Sequence, residues 1–292
     1  MSESLRLGPE PLPTVAPHAR APGWFERADK YLAVAVVSFQ RSVAYRVAFL
    51  SSLAAFFLQA YVLYFIWQVV FQNVASIGGF SRTEMIAYLF VSQGIANLHS
   101  WYGAAERRLS ERVGSGDIVT DLLRPLDVQW ACFAEVTGQG LVQGGLVLGV
   151  LIVTSLWIGE IRALADLIYL PIFVLSVVLG FVIMYSISFL AGLASFWTIN
   201  YWGLFYAKKV VVDLLSGALV PLTLFPVFLQ GIVLVSPFPS MVYVPASIYL
   251  GRLKGAALLQ QLALQVVWAI VLWVIAYFAW SRAIRKVTVQ GG

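Results

Sequence analysis

The chain has 292 residues, 60% of them hydrophobic and only 11% charged. A soluble domain of this length needs more charge to cover its surface, so the composition is that of a protein crossing the bilayer several times. The net charge of +5 is accounted for by basic cytoplasmic loops and requires no nucleic acid. One cysteine, Cys132, excludes an intrachain disulfide and a thiolate metal cluster, and His18 and His99 are too few and too far apart for a metal site.

Residues 1–23 carry Pro9, Pro11, Pro13, Pro17 and Pro22 and lack the apolar stretch of a signal peptide, so they read as a disordered, proline-rich tail. Residues 24–46 follow as an interfacial amphipathic helix: Trp24, Phe25, Ala28, Tyr31 and Leu32 fall near helical spacing, with Glu26, Arg27, Asp29 and Lys30 between them. A first span is predicted over residues 47–71, with Tyr61, Tyr64 and Trp67 as an interfacial belt. Gly78-Gly79 marks a turn before a second span at residues 84–104. Gln93, Asn97 and His99 lie within or near that span, where polar side chains either bond a neighbouring helix or line a substrate path.

Residues 105–129 form a long polar stretch between two bilayer-length apolar runs. Leu109 and Val113 stand four apart on one helical face, and Arg107, Arg108, Glu111 and Arg112 fill the others. Gly114 is placed to end this helix as its C′ residue. Asp117 can cap a second short helix with Ile118/Leu122 and Val119/Leu123 as apolar pairs, stopping before Pro125 because proline disfavours helical geometry at Arg124. Asp127 can cap the next span. Two capped helices on a membrane face suit docking of a cytoplasmic partner; the alternative is a well-formed loop that only joins two spans.

A third span is predicted at residues 130–158, with Glu135 near its start and Gly140-x-x-x-Gly144 permitting close helix contact. The fourth covers residues 167–196. Lys208 and Lys209 precede an apolar run, and a fifth span is placed so as to end near Pro221, because one helix through residues 206–235 would be about 45 Å long and carry two internal prolines. Pro221, Pro226, Pro237, Pro239 and Pro245 then punctuate apolar segments that dip into the outer leaflet without crossing. Residues 256–280 make the sixth span. Arginine and lysine concentrate on the side of the 105–129 loop and of both termini, which places that side inside the cell. Residues 47–292 thus read as one all-α membrane domain with no internal repeat.

Several chemistries are absent. No G-x-x-x-x-G-K-[ST] occurs, and Gly114-Ser115-Gly116 lacks the lysine of a phosphate-binding loop. Neither H-E-x-x-H nor G-x-S-x-G is present. Asp213 is an acid within a predicted span and so a candidate for the transport path, but Lys209 stands four residues before it and can pair with it instead.

Three blocks carry a family resemblance: Tyr45-Arg46 with Trp67, Phe71 and Ile77-Gly78-Gly79-Phe80-Ser81; Gly116-Asp117-Ile118 with Leu122-Leu123-Arg124-Pro125-Leu126; and Ser216-Gly217 with Pro221-Leu222, Phe225-Pro226, Pro237-Phe238 and Pro245. From about residue 40 onward the chain resembles the membrane subunits of ABC-2-type ATP-binding-cassette exporters, in the bacterial branch of small stand-alone permeases. The resemblance implies six spans, an interfacial N-terminal helix, and re-entrant helices turning at Gly217, Pro221, Pro226 and Pro237. It also implies a permease in the bacterial plasma (inner) membrane with both termini cytoplasmic, paired with an identical or homologous permease and two separate ATPase subunits. The 105–129 loop would then be the coupling element, through Arg107, Arg108, Glu111, Gly114, Gly116, Asp117, Leu123, Arg124 and Pro125. Gln93, Asn97 and Asp213 would be candidates for a substrate path or gate. ATP and magnesium would be bound by the partner chain, leaving this one without a cofactor and not itself an enzyme. The rival readings are a membrane-embedded enzyme and a channel or scaffold independent of any ATPase.

Overall fold

The computed structural model describes residues 24–44, 46–100, 103–158, 167–198 and 201–286. The proline-rich tail at residues 1–23 and the loop at 159–166 lie outside these. The described residues are overwhelmingly helical, in the order α1 (Trp24–Ala44), α2 (Arg46–Val70), a two-residue hairpin β1 (Ser76–Ile77) and β2 (Phe80–Ser81), α3 (Arg82–Ser100), α4 (Gly103–Ser115), α5 (Ile118–Leu123), α6 (Val128–Ile158), α7 (Leu170–Leu193), α8 (Tyr201–Leu215), α9 (Val227–Val235), α10 (Tyr243–Tyr249) and α11 (Gly255–Ala283). Single 3-10 turns extend α7 at both ends, precede α9 and follow α11.

Two segments are plainly long and apolar enough to cross a bilayer, Leu170–Phe196 and Gly255–Lys286. At 1.5 Å per residue each exceeds the ~30 Å hydrocarbon thickness. They correspond to the predicted fourth and sixth spans and pack along each other. Between them and the start of α6 lies an aromatic cluster: Trp130 meets Trp273 at 4.6 Å between ring centroids, and Phe133 meets Tyr185 at 5.0 Å. The Tyr185 hydroxyl donates to the Gln129 carbonyl at 2.6 Å, and Gln129 Nε2 donates to the Trp273 carbonyl at 3.2 Å. The Tyr185 hydroxyl and the Gln129 amide N–H therefore keep partners inside an apolar packing layer.

The hairpin turns at Gly78 and Gly79, both with positive φ, as a two-residue turn of primed type requires. Arg252 covers it: its guanidinium lies 3.7 Å from the Phe80 ring centroid and donates to the Gly79 carbonyl at 2.9 Å. α3 then starts with a capping box. The Ser81 backbone N–H donates to Glu84 Oε2 at 2.9 Å, and the Glu84 N–H donates to Ser81 Oγ at 3.4 Å.

α1 packs mainly on α6, and Tyr31 fixes the junction, its hydroxyl accepting the Asp127 N–H at 3.1 Å. The closest approach is at Gly138, where a Cβ would lie 2.0 Å from the Ala35 carbonyl oxygen. Of the predicted Gly140-x-x-x-Gly144 pair, Gly144 lies close against α3, a Cβ there being 3.2 Å from Leu98 Cδ1. A difference from expectation concerns α8. The predicted fifth span ends near Pro221, but the helix stops at Leu215 because the chain turns at Gly217, with φ +82°. Its 15 residues rise about 22 Å, less than the hydrocarbon thickness.

Gly138→Ala is expected to push α1 off α6, since backbone rather than a flexible side chain opposes the new methyl, and to cost about 1–3 kcal/mol. Gly114→Ala, near the end of α4 with nothing within 4 Å, should be neutral or stabilising by up to about 1 kcal/mol. Thermal unfolding of the two purified variants in detergent checks the contrast. Equal midpoints would mean that α1 is not held at Gly138.

Candidate functional site: a polar tip and a cavity beneath it

α4 turns Ala105, Glu106, Leu109 and Ser110 inward and leaves Arg107 and Glu111 exposed. Leu109 joins the core, with Val113 packed against it, as the four-residue spacing predicts. Glu106 is the unexpected member. Its carboxylate is fully buried and pairs with Lys208 of α8, whose ammonium also donates to Ser188 Oγ of α7 at 3.1 Å. Burial raises the Glu106 carboxyl above the ordinary carboxylate range, and the Lys208 ammonium opposes that shift. α4 comes this close to α7 because Gly192 has no side chain: a Cβ there would lie 3.0 Å from Glu106 Cα.

The tip beyond α4 differs from expectation first in its turn. Gly114 stays within the helix, and Gly116 is the residue past its end with φ +82°. Asp117 precedes α5 but makes no side-chain cap; its Oδ2 accepts from Ser115 Oγ at 2.8 Å, so the carboxylate points back across the turn. The end of α5 and the cap of α6 are as expected. α5 ends at Leu123, Arg124 is extended ahead of Pro125, and Asp127 Oδ1 caps α6 by accepting the Trp130 N–H at 3.0 Å. Arg112 Nη1 pairs with Asp121 Oδ2 at 2.5 Å and clamps α5 against α4, while Arg124 reaches the same carboxylate at 3.6 Å. Arg108 pairs with Glu135 of α6. Of the predicted apolar pairs, Ile118 is buried, but Leu122 is exposed and Leu123 is 82% exposed. Arg107, Glu111, Gly114, Gly116, Asp117, Leu123, Arg124 and Pro125 thus share an exposed tip, with Arg108 half-buried behind it.

Gln93, Asn97 and Asp213 line one cavity of about 360 Å³ between α3, α8 and the turn after α8. Within it, Gln93 Nε2 donates to the Ala218 carbonyl at 2.8 Å; beside it the Tyr88 hydroxyl donates to the Gly217 carbonyl at 2.7 Å. Gln93 therefore holds the turn as well as lining the space. Asp213 pairs with Lys209 at 2.5 Å on a largely exposed face. Gly217 makes the turn itself. Pro221 and Pro226 each stand just before a short helix in extended geometry, and Pro237 follows the end of α9. The prolines delimit separate short elements. Among the described residues no three His, Cys, Asp or Glu side chains are grouped to hold a metal ion.

The acid on the inner face of α4 was visible in sequence, since Glu106 shares its side with Leu109 and Ser110. Its partner, 102 residues away, carries no local signal.

Long apolar helices and a folded polar tip describe a helical membrane protein. The profile described as ABC-2 family transporter protein matches residues 57–291, and the chain belongs to that family. No curated protein matches it.

Two ion pairs of unlike burial give a test. Lys208→Met leaves the Glu106 charge buried without a cation and should cost about 3–5 kcal/mol, most of it recovered by adding Glu106→Gln. Asp213→Asn, at an exposed i, i+4 pair, should cost no more than about 0.5 kcal/mol. Unfolding midpoints of the four purified forms check this; a Lys208→Met variant as stable as Asp213→Asn would overturn the distinction.

Proposed function

We propose that the chain is the permease subunit of an ATP-driven exporter in a bacterial inner membrane, with six spans and both termini cytoplasmic. In this reading α2, α3, α6, α7, α8 with the turn that follows it, and α11 carry the crossings, and α9 and α10 are the re-entrant elements. At 9 and 7 residues those two rise only about 14 and 10 Å and cannot cross alone. The α4–α5 tip docks on a separate ATPase chain, which supplies the ATP and magnesium sites. Two such chains serve a pair of permeases, identical or homologous, and the cavity at Gln93, Asn97 and Asp213 forms part of the substrate path.

The observation that carries this reading is the tip. Leu123 at 82% and Arg124 at 60% exposure project from a helix that an ion pair holds rigid. An ordered leucine held beside an exposed arginine offers a docking chain an apolar contact next to a cation, and arginine is enriched at interfaces. The lack of a phosphate-binding loop in the sequence fits a division of labour with another chain.

Two measurements test this. With Cys132→Ser as background, single cysteines at Ser76 and Lys254 should react with an impermeant thiol reagent on intact cells, and one at Thr120 only after permeabilisation; labelling of Thr120→Cys in intact cells would reverse the orientation. For coupling, Leu123→Asp and Arg124→Glu should insert and fold normally but weaken ATPase co-purification at least about tenfold. Export and substrate-stimulated ATP hydrolysis should fall together in reconstituted vesicles. Variants that assemble and transport at the unmodified rate would remove the tip from the coupling path.

A further inference from the structure

Lys208 serves two neighbours. Its ammonium pairs with Glu106 at the base of the tip and donates to Ser188 Oγ at 3.1 Å. It also lines the cavity of about 360 Å³ that Gln93, Asn97 and Asp213 share, as does Lys209. An ammonium carries three N–H donors, so one remains for whatever enters. Asp213 is the one acid among the described residues of the lining, and Lys209 already holds it at 2.5 Å. Glu106 is fully buried and lies outside the lining. A ligand therefore meets two ammonium groups against one carboxylate. Much of the same lining is apolar, including Met184 of α7, Val212 of α8, and Met241 and Val242. Cationic and apolar walls thus belong to one space.

We propose that this cavity takes an amphiphile with an anionic head, the head at Lys208 and Lys209 and the apolar body against Met184, Val212 and Met241. An anion gains a charge-assisted hydrogen bond from the spare Lys208 donor. An inorganic anion would make that bond but leave the apolar lining to water. A neutral amphiphile would cover the apolar lining and leave the donor without a strong acceptor. A cationic one would add a third positive charge beside the two ammonium groups. Because the head and Glu106 draw on the same ammonium, an occupied cavity weakens the hold of Lys208 on α4, and occupancy is felt at the base of the tip. The inference rests on the reading of this cavity as part of the substrate path, and it names the class of substrate.

The test uses the full chain in a maltoside detergent at about pH 6, well below the lysine range. Cys132→Ser is the background, and Leu219→Cys in the cavity lining is the single reporter. Maleimide labelling is timed against octyl sulfate, octanol and octyltrimethylammonium, one chain carrying three different heads. Octyl sulfate should protect at a concentration at least about tenfold lower than either of the others. Glu106→Gln removes the competing acid and should improve that protection about threefold. Adding Lys208→Met to it, in the double variant expected above to regain most of its stability, should weaken protection about tenfold relative to the unmodified chain. A gain from the first change and a loss on adding the second is not the pattern of general loosening. Equal protection by the three amphiphiles would overturn the anionic head, and equal protection by inorganic sulfate would overturn the apolar body. No gain in Glu106→Gln would overturn the sharing of Lys208. Equal protection of Val227→Cys, exposed on α9 and outside the lining, would overturn the site itself. No ATPase enters this measurement, so its failure leaves the path to a ligand of another class, whereas a chain that binds octyl sulfate but transports nothing fails the transport reading alone.

Discussion

The buried carboxylate of Glu106 constrains more of this structure than any other single group. An ionised side chain with no solvent contact is tolerated only with a counter-charge in reach, and the Lys208 ammonium provides it. α4, the end of α7 and α8 must therefore stay together, and Gly192 gives α4 the room to do so. A buried pair of this kind adds little net stability over an apolar one. What it adds here is register: shifting α4 by one residue would strand two charges in an apolar layer. The polar tip is thereby fixed to α7 and α8 instead of hanging between them.

α3 carries a second constraint along its length. At its start Glu84 and Arg252 approach to 3.6 Å beside the hairpin. In its middle, Tyr88, Ser92 and Gln93 hold the carbonyls of Gly217 and Ala218, which a turning backbone would otherwise leave unpaired. At its far end the chain passes into α4. One helix thus touches the hairpin, the irregular turn and the approach to the tip. In the proposed transport reading, displacement of the tip reaches the turn through α3 and through α8 together, because α8 is pinned to α4 at its middle, by Lys208, and runs into Gly217 at its end.

Features set by neighbours in sequence were legible in it. The membrane-length helices α7 and α11, the Gly78-Gly79 turn, the stop before Pro125 and the Asp127 cap each follow from residues within one or two turns of where they act. The Ser81-to-Glu84 capping box is also local and was there to be read. Errors arose where two local signals competed. Gly114 and Gly116 both stand near the end of α4, and only the three-dimensional course of the chain decides which takes positive φ. Asp117 had a nearer donor in Ser115 than the helix it precedes. Long-range pairings left no local trace: Glu106 with Lys208, Gly138 against Ala35, and Gln93 on Ala218. Gln93, Asn97 and Asp213 were singled out separately for being polar in apolar surroundings, and the fold brings all three to one cavity.

The tip shows what the clamp on α5 achieves. Six residues are too few for a stable isolated helix in water, because nucleation costs more than so few hydrogen bonds return. α5 is nevertheless ordered, with Ile118 buried beneath it and Asp121 pinned by Arg112. These two contacts lie on the inner side, so Leu122 and Leu123 are presented outward in a fixed orientation. Ordering a loop at the moment of binding subtracts from affinity, and here the fold has met that cost before any partner arrives. In the proposed transport reading, a surface that engages and transmits force in every cycle benefits from this stiffness twice: it docks without first folding, and it passes a displacement to α4 without absorbing it.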